Sequence, residues 1–354
     1  MIPVAARLNN MGHNVIIASG KEHSALFRNE LEGLSYIDFA GFKPVYSRFL
    51  PQYLSLFFKI PSLLIHIARE HKRLKKIIAD NGIDIVISDN RFGLRNNTIS
   101  SVYVTHMPRI PFPSLFRFLE PVGIALHRAV IRRYKYCWIP DLPGEVNISG
   151  RLSHSAKLAS NTRFIGLLSR FSVIPASYPD PNPGTPHNTV ILSGPEPQKG
   201  MLKQRLVSIL RNNTDSTFLL EGKPLKGRQI TEHGNIHFCS HLPAPEMAQI
   251  IKGSKSVITR SGYTTIMELI SLGTSALLIP TPGQTEQEYL AAYLSGKGWF
   301  SSVSQGNLHE AIKLPEIKAP WPADICEKSD LLLNAALKEL LVDLHKEHQP
   351  GKSR

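Results

Sequence analysis

The segment Thr259-Arg-Ser-Gly-Tyr-Thr-Thr-Ile-Met-Glu268 sets hydroxyls, a glycine and a carboxylate just past an apolar run. Ser256–Thr259 reads as a strand, Ser261-Gly262 as a turn, and Thr264 and Thr265 as the first turn of a helix. The N–H groups of such a turn have no intrahelical partner, and with the helix dipole behind them they suit a phosphate. Gly262 lets a ligand approach the backbone closely. Glu268 follows Thr264 by four residues, on the same helix face, where a carboxylate can accept from two ribose hydroxyls. Alone, the short Ser-Gly-x-Thr motif is better read as an ordinary capped helix start. Two more loops change the balance. Pro280-Thr-Pro-Gly-Gln-Thr-Glu-Gln-Glu288 carries Gln284, Glu286, Gln287 and Glu288, all able to bond hydroxyls, and Ser193-Gly-Pro-Glu-Pro-Gln198 follows another apolar run. All three loops sit where strands end, the edge at which open α/β sheets bind ligands. Together they describe a nucleotide-sugar pocket.

The elements that must hold these loops follow from the apolar pattern. Strands are expected at Thr189–Ser193, Thr217–Leu220, Ile236–Cys239, Ser256–Thr259 and Ala276–Ile279. Helices are expected near Met201–Arg211, Glu246–Lys252, Thr264–Leu272 and Thr285–Leu294, and a last one over Ser329–His345. The first half alternates likewise: helix Pro3–Asn10, strand Asn14–Ala18, helix Glu22–Leu31, strand Tyr36–Phe39, helix Pro61–Asn81 and strand Asp84–Ser88. Strand Ser101–Thr105, helix Ser114–Tyr134 and strand Tyr136–Ile139 complete it. Alternation of this kind implies βαβ units and parallel sheets. Ser172–His187 holds five prolines and reads as a linker. The expected class is α/β, with two doubly wound Rossmann-like domains facing a cleft. Residues 1–171 form one domain, 172–187 the linker, 188–345 the other domain, and 346–354 a frayed tail.

Charge separates the halves. The formal net is +13; residues 1–175 hold 23 Lys and Arg against 11 Asp and Glu, while residues 176–354 hold 18 against 17. A basic half beside a neutral one suggests an anionic partner or surface, against the plainer reading of a solvated basic face. Leu54–Leu64 is apolar. Pro111–Leu119 is apolar too, and it leads into His127, Arg128, Arg132, Arg133 and Lys135. Aromatics beside a basic helix suit a monotopic membrane contact; core packing of Phe57, Phe58, Phe116 and Phe118 explains them equally. Nucleic acid is not expected, because the basic residues are not interleaved with a stacking platform. Cys137, Cys239 and Cys326 have neither disulfide nor zinc spacing. No run of about 18 apolar residues or secretory layout is present, so the expected location is cytoplasmic, with a peripheral membrane contact.

Arg260-Ser-Gly-Tyr-Thr-Thr-x-x-Glu268, followed by Pro280 and Gln287-Glu288-Tyr289, resembles the donor-binding half of GT-B glycosyltransferases, and most of all those of family 28. The likeness spans Thr189–Leu294. It implies that Glu268 holds the donor ribose, that Ser261, Gly262 and Thr264 line the diphosphate, that Arg260 and Thr265 belong to the same donor site, and that Ser193-Gly194 faces the cleft. It also implies that Gln287 and Glu288 meet the sugar, with Gln284 in the same donor site, and that the backbone near His241-Leu242 lies beside the base. The family has two glutamines where this chain has Gln287-Glu288. The expected reaction is metal-independent, inverting transfer of a hexosyl group from a UDP-sugar or other NDP-sugar to an unidentified, lipid-linked or membrane-associated acceptor. No Asp-x-Asp pair offers a diphosphate metal site, and no cofactor is expected beyond the sugar nucleotide itself.

Members of the family carry a Gly-x-Gly-His turn after their first strand. Here the chain is already in its first predicted helix at Pro3, so that turn is expected either before Met1 or to be absent. His13, after that helix, does not map onto it. The remaining candidates for a catalytic base are Asp89 and His106, each just past a strand of the first half. Two alternatives stay open: a catalytically inactive binding subunit of the same fold, and a nucleotide-sugar epimerase.

Overall fold

The computed structural model describes residues 1–41, 60–112, 114–154, 157–174, 187–211, 213–309 and 319–347. Phe57, Phe58, most of the Pro-rich linker and residues 348–354 lie outside the described residues. The described chain forms two compact units, one of residues 1–40 and 168–322, the other of residues 41, 60–167 and 323–347.

In the first unit, the helix Ile2–Asn10 leads through Gly12, at φ +85°, into β1 (Ile16–Ser19). The helix Lys21–Glu30 then connects β1 to β2 (Ser35–Asp38), its parallel partner.

The second unit centres on four parallel strands in the order β3 (Ile85–Asp89), β4 (Ser100–Val104), β5 (Tyr136–Ile139) and β6 (Thr162–Phe164). All of β4 and β5 is buried; β5 is an unbroken apolar run, whereas β4 opens on two buried serines. The expected helix Ser114–Tyr134 is two pieces, a 3₁₀ segment Ser114–Leu119 and an α-helix Glu120–Ile131. Pro121 sits near the start of the second piece, a position a helix tolerates because the missing N–H would have no partner there. The carboxy-terminal helix Ile325–Glu347 packs on this sheet, although it follows the other unit in sequence. Tyr136 Oη donates to Asp343 Oδ2 at 2.6 Å, and the Arg163 guanidinium meets Glu339 at 2.9 and 3.0 Å. Gly166 has φ +71°, and a Cβ there would stand 2.3 Å from Ser329 Cα, so only glycine lets the helix approach.

The rest of the first unit is a seven-stranded sheet. In chain order its strands are β7 (His187–Ile191), β8 (Ser216–Leu220), β9 (Ile230–His233), β10 (Ile236–Cys239), β11 (Ser254–Thr259), β12 (Leu277–Leu278) and β13 (Ser301–Ser302). In space they run β13-β12-β11-β7-β8-β10-β9, all parallel except the edge strand β9. β9 and β13 escape a reading by pattern: β9 (Ile-Thr-Glu-His) is exposed at every residue, and β13 is two serines. From β7 the chain steps one way to β8 and later returns to the other side at β11. That switch point is where doubly wound sheets open a crevice.

Candidate functional site

β12, β11 and β7 are neighbours, and each leads to a helix: Thr285–Gly296, Tyr263–Ser271 and Gln198–Leu210 respectively. The N-caps are Gln284, Gly262 and Pro197, and none of the three makes a side-chain cap bond, although Glu196 Oε2 accepts from Gly200 N at 2.9 Å in the first turn of the third helix. Three helix N-termini therefore stand side by side at the carboxyl edge of the sheet, the arrangement the three loops predicted. Gly262 has an ordinary φ of −77°, and a Cβ on it would find nothing closer than Ser193 Oγ and Thr265 Oγ1 at 4.0 Å. Its value is open space beside Ser193. Gly194, at φ +95°, takes a conformation that suits glycine.

Several predicted site residues hold the loops in shape. Arg260 is 1% exposed and donates to the carbonyls of Ile279, Pro280 and Gln198 at 3.0–3.2 Å, tying all three loops together. Burial lowers its pKa to about 10, which leaves it cationic at neutral pH. Ser261 Oγ donates to the Gln287 carbonyl at 2.8 Å. Gln287 Oε1 accepts from Thr281 N at 2.9 Å, and Glu288 Oε1 from Gly283 N at 2.8 Å, so these side chains brace the 281–284 turn. Thr264 is exposed on the first helical turn.

A cavity of about 130 Å³ opens beside β7, lined among others by Arg170, Ser193, His241, Met247, Thr265 and Glu268. Glu268 Oε1 lies 3.0 Å from Arg170 Nε, an ion pair outside hydrogen-bond geometry. Burial raises the Glu268 pKa and the Arg170 cation opposes the rise. Arg170 heads a short 3₁₀ turn capped by Ser169, and Ser169 Oγ accepts from Ser271 Oγ at 2.6 Å, which links the turn to the helix carrying Glu268. Glu30 stands 3.9 Å from Arg170 Nη1 and accepts from Ala244 N at 3.3 Å, at the start of the helix Ala244–Lys252. Burial lowers the His241 pKa, reinforced by Arg170, and Leu242 beside it is buried. Three buried polar atoms here lack a hydrogen-bond partner: Arg170 Nε, His241 Nε2 and Glu30 Oε1. Buried polar groups are otherwise nearly always bonded. Arg170 and Glu30 carry no sequence signal; Arg170 sits in an unremarkable stretch before the linker.

In the second unit Asp89 ends β3 and is exposed, and His106 follows β4, half-buried. Their strands are adjacent, with Asp89 in register with Val104. Between Asp89 and Arg91, Asn90 takes φ +53°, and its Oδ1 accepts from Tyr103 Oη at 2.9 Å. After β5 the chain wraps Asp141, which is fully buried. Asp141 accepts from the N–H groups of Leu142, Ile148 and Ser149 at 2.8–3.0 Å and from Ser149 Oγ at 2.5 Å. Ser149 in turn bonds Ser153, and Ser153 Oγ bonds His154 Nδ1 at 2.8 Å. The only hint of this hub in the sequence is Pro140-Asp-Leu-Pro-Gly144, a turn directly after an apolar strand.

With two parallel α/β sheets and this loop edge described, the fold is recognisable as that of glycosyltransferases of GT-B type. The calicheamicin glycosyltransferase CalG4 aligns with a TM-score of 0.59 at 12% identity, over 98% of this chain and 95% of its own. The spinosyn rhamnosyltransferase SpnG complexed with thymidine diphosphate gives 0.55 at 13% identity, over 98% and 91%. SnogD from Streptomyces nogalater gives 0.53 at 16%, over 98% and 89%. Identities this low establish the fold alone. More particularly, residues 228–314 match the glycosyltransferase family 28 C-terminal domain, a span that contains Arg260–Glu268 and Gln284–Glu288. Among curated proteins none matches the chain.

Proposed function

We propose that the protein is a glycosyltransferase that moves a hexosyl group from a nucleoside diphosphate sugar to an acceptor hydroxyl, with inversion and without a metal. The observation that carries this reading is the cavity beside β7, where Arg170 Nε, ion-paired to the buried Glu268 but without a hydrogen bond, and His241 Nε2, also without one, line the same space. A ligand rich in hydroxyls and carbonyl oxygens supplies the partners those groups lack. In this reading Glu268 accepts from the ribose hydroxyls. The diphosphate lies against the first N–H groups of the helix Tyr263–Ser271, beside Ser193 and Thr264. The leaving group gains negative charge as the anomeric C–O bond breaks. The helix terminus and the Arg170 guanidinium stabilise that charge, the task a metal performs elsewhere. His241 stays neutral at physiological pH and lies beside the base with Leu242. Gln284, Gln287 and Glu288 meet the sugar. The acceptor oxygen attacks the anomeric carbon from the face opposite the diphosphate and passes its proton to Asp89 or His106.

The donor is a UDP-sugar in this proposal; a thymidine diphosphate sugar is the alternative, favoured by the nucleotide complexed with SpnG. The acceptor is lipid-linked or held at a membrane, on the cytoplasmic side. Calorimetry of the full chain with UDP, TDP and GDP, each with EDTA present, tests the donor assignment. Micromolar-range binding of one pyrimidine diphosphate that survives chelation supports it. Binding that disappears with EDTA removes the metal-free mechanism.

A further inference from the structure

Glu30 is the last residue of the helix Lys21–Glu30, a poor place for a carboxylate, because the carbonyl end of a helix repels negative charge. Its side chain is 4% exposed, so water does little to relieve it. Part of the compensation comes from elsewhere in the first unit. The helix Ala244–Lys252 starts after Pro243 with no side-chain cap of its own, and Glu30 Oε2 accepts from Ala244 N at 3.3 Å. Glu30 Oε1 has no hydrogen-bond partner and stands 3.9 Å from Arg170 Nη1.

One guanidinium therefore stands between two buried carboxylates. Arg170 Nε is 3.0 Å from Glu268 Oε1, and Arg170 Nη2 reaches the neutral Met247 Sδ at 2.9 Å. Arg170 and Glu268 line the cavity, whereas Glu30 meets it through Arg170. Burial raises the Glu30 pKa; Arg170 and the Ala244 N–H oppose the rise, and Glu268 adds to it. The Met1 amino group acts on Glu268, and the neutral His241 contributes no charge.

Stability does not call for the second carboxylate. At 3.9 Å from a cation that already has a partner, it gains little attraction for the cost of its own desolvation. A neutral glutamine would offer Ala244 N the same acceptor. What the arrangement adds beyond that hydrogen bond is a fixed negative charge behind Arg170.

We propose that Glu30 sets how tightly the site retains the spent nucleotide: its charge, acting on and past Arg170, weakens diphosphate binding and speeds release. The inference rests on the donor reading above, in which the diphosphate draws on the Arg170 guanidinium. When the anomeric C–O bond breaks, its electron pair stays on the phosphate oxygen, which becomes a terminal oxygen. Above the second phosphate pKa of about 6, the freed nucleoside diphosphate carries one more negative charge than the sugar nucleotide. A carboxylate fixed behind the guanidinium opposes that extra charge, and in a site poor in water the repulsion reaches across several ångströms. Glu30 is thus a positioning residue that acts through Arg170 without touching the nucleotide.

The test compares the full wild-type chain with Glu30→Gln and Glu30→Met in binding uridine, UMP and UDP, at about pH 8 so that the phosphates are fully ionised. Glutamine keeps an acceptor for Ala244 N and drops the charge; methionine drops both. Calorimetry reads UDP affinity, displacement of UDP reads uridine and UMP, and stopped flow reads UDP dissociation. Both variants are expected to hold UDP about ten-fold more tightly than wild type, with dissociation slowed to match. UMP should tighten less, and uridine should stay within about two-fold, since it carries no charge for Glu30 to repel. Only Glu30→Met should melt earlier, from loss of the Ala244 contact. A purely structural role would instead weaken all three ligands together. The proposal is overturned if UDP affinity is unchanged or lower in either folded variant, or if uridine tightens as much as UDP. A wild-type chain that binds neither UDP nor uridine removes the donor reading and this inference with it. UDP binding that ignores the Glu30 charge removes this inference alone.

Discussion

Replacing Glu268 separates its two roles, ribose acceptor and partner of Arg170. The carboxylate is buried, 3.0 Å from Arg170 Nε, and among the described residues the other carboxylate near that guanidinium is Glu30 at 3.9 Å. Glu268→Ala removes a charged acceptor from the ribose, a loss of about 1.5–3 kcal/mol. That corresponds to a roughly 10–150-fold weaker Kd for UDP. The same change leaves the Arg170 guanidinium with Glu30 at 3.9 Å and the neutral Met247 Sδ as its remaining contacts in a buried site, at a further cost of about 1–3 kcal/mol in folding stability. Glu268→Gln keeps the shape and one acceptor oxygen, so it should fall between Ala and wild type on both scales. Calorimetry with UDP and denaturant unfolding, run on all three proteins, reads the two roles independently. If Glu268→Ala unfolds more easily yet binds UDP as tightly as wild type, Glu268 serves Arg170 alone and the ribose assignment is wrong.

Arg260→Met should cost about 2–4 kcal/mol of stability, because three carbonyls lose a charged donor and only part of the volume is refilled. Arg260→Lys should fare little better, since an ammonium lacks the planar fork that reaches two loops at once; a urea midpoint equal to wild type for either would refute the clamp. Asp141→Asn should destabilise the second unit by about 3 kcal/mol, because an amide nitrogen faces donors the carboxylate accepted from; an unchanged melting curve would contradict this. Donor affinity should fall on acidification, since burial raises the Glu268 pKa above 4.5 and the ribose needs the ionised form. By linkage the folded chain holds that proton more tightly than the unfolded one, so the Glu268 contribution to stability declines as pH rises through the same window. Glu268→Gln should flatten the affinity profile above pH 4.5; a slope that survives in the variant places the titration elsewhere.

The elements that carry the candidate site were legible because they are buried on both faces. β11 and the helix after it are nearly all buried, and the signal that marked them is the Val257-Ile258 pair just before the Ser-Gly turn, followed by the apolar helix residues. The edge strands β9 and β13 lack that signal, for their residues pack against nothing that demands an apolar face. The carboxy-terminal helix was found, but its place on the second unit's sheet was not, because its contacts run through Tyr136 and Arg163, some 200 residues earlier. Within the site, residue types were readable and their tasks were not. Arg260 was expected among the donor-binding residues, and in the structure its guanidinium is taken by three carbonyls. Arg170 had no motif to mark it, since its role depends on Ser169 meeting Ser271 across the fold.

The most direct measurement of the central claim is a crystal structure of the chain soaked with UDP in EDTA. The account predicts ribose hydroxyls within hydrogen-bond distance of the Glu268 carboxylate, the diphosphate against the N–H groups that open the helix Tyr263–Ser271, and the base beside His241. A nucleotide bound elsewhere, or one seated here with Glu268 still turned to Arg170 and no ribose contact, would contradict it.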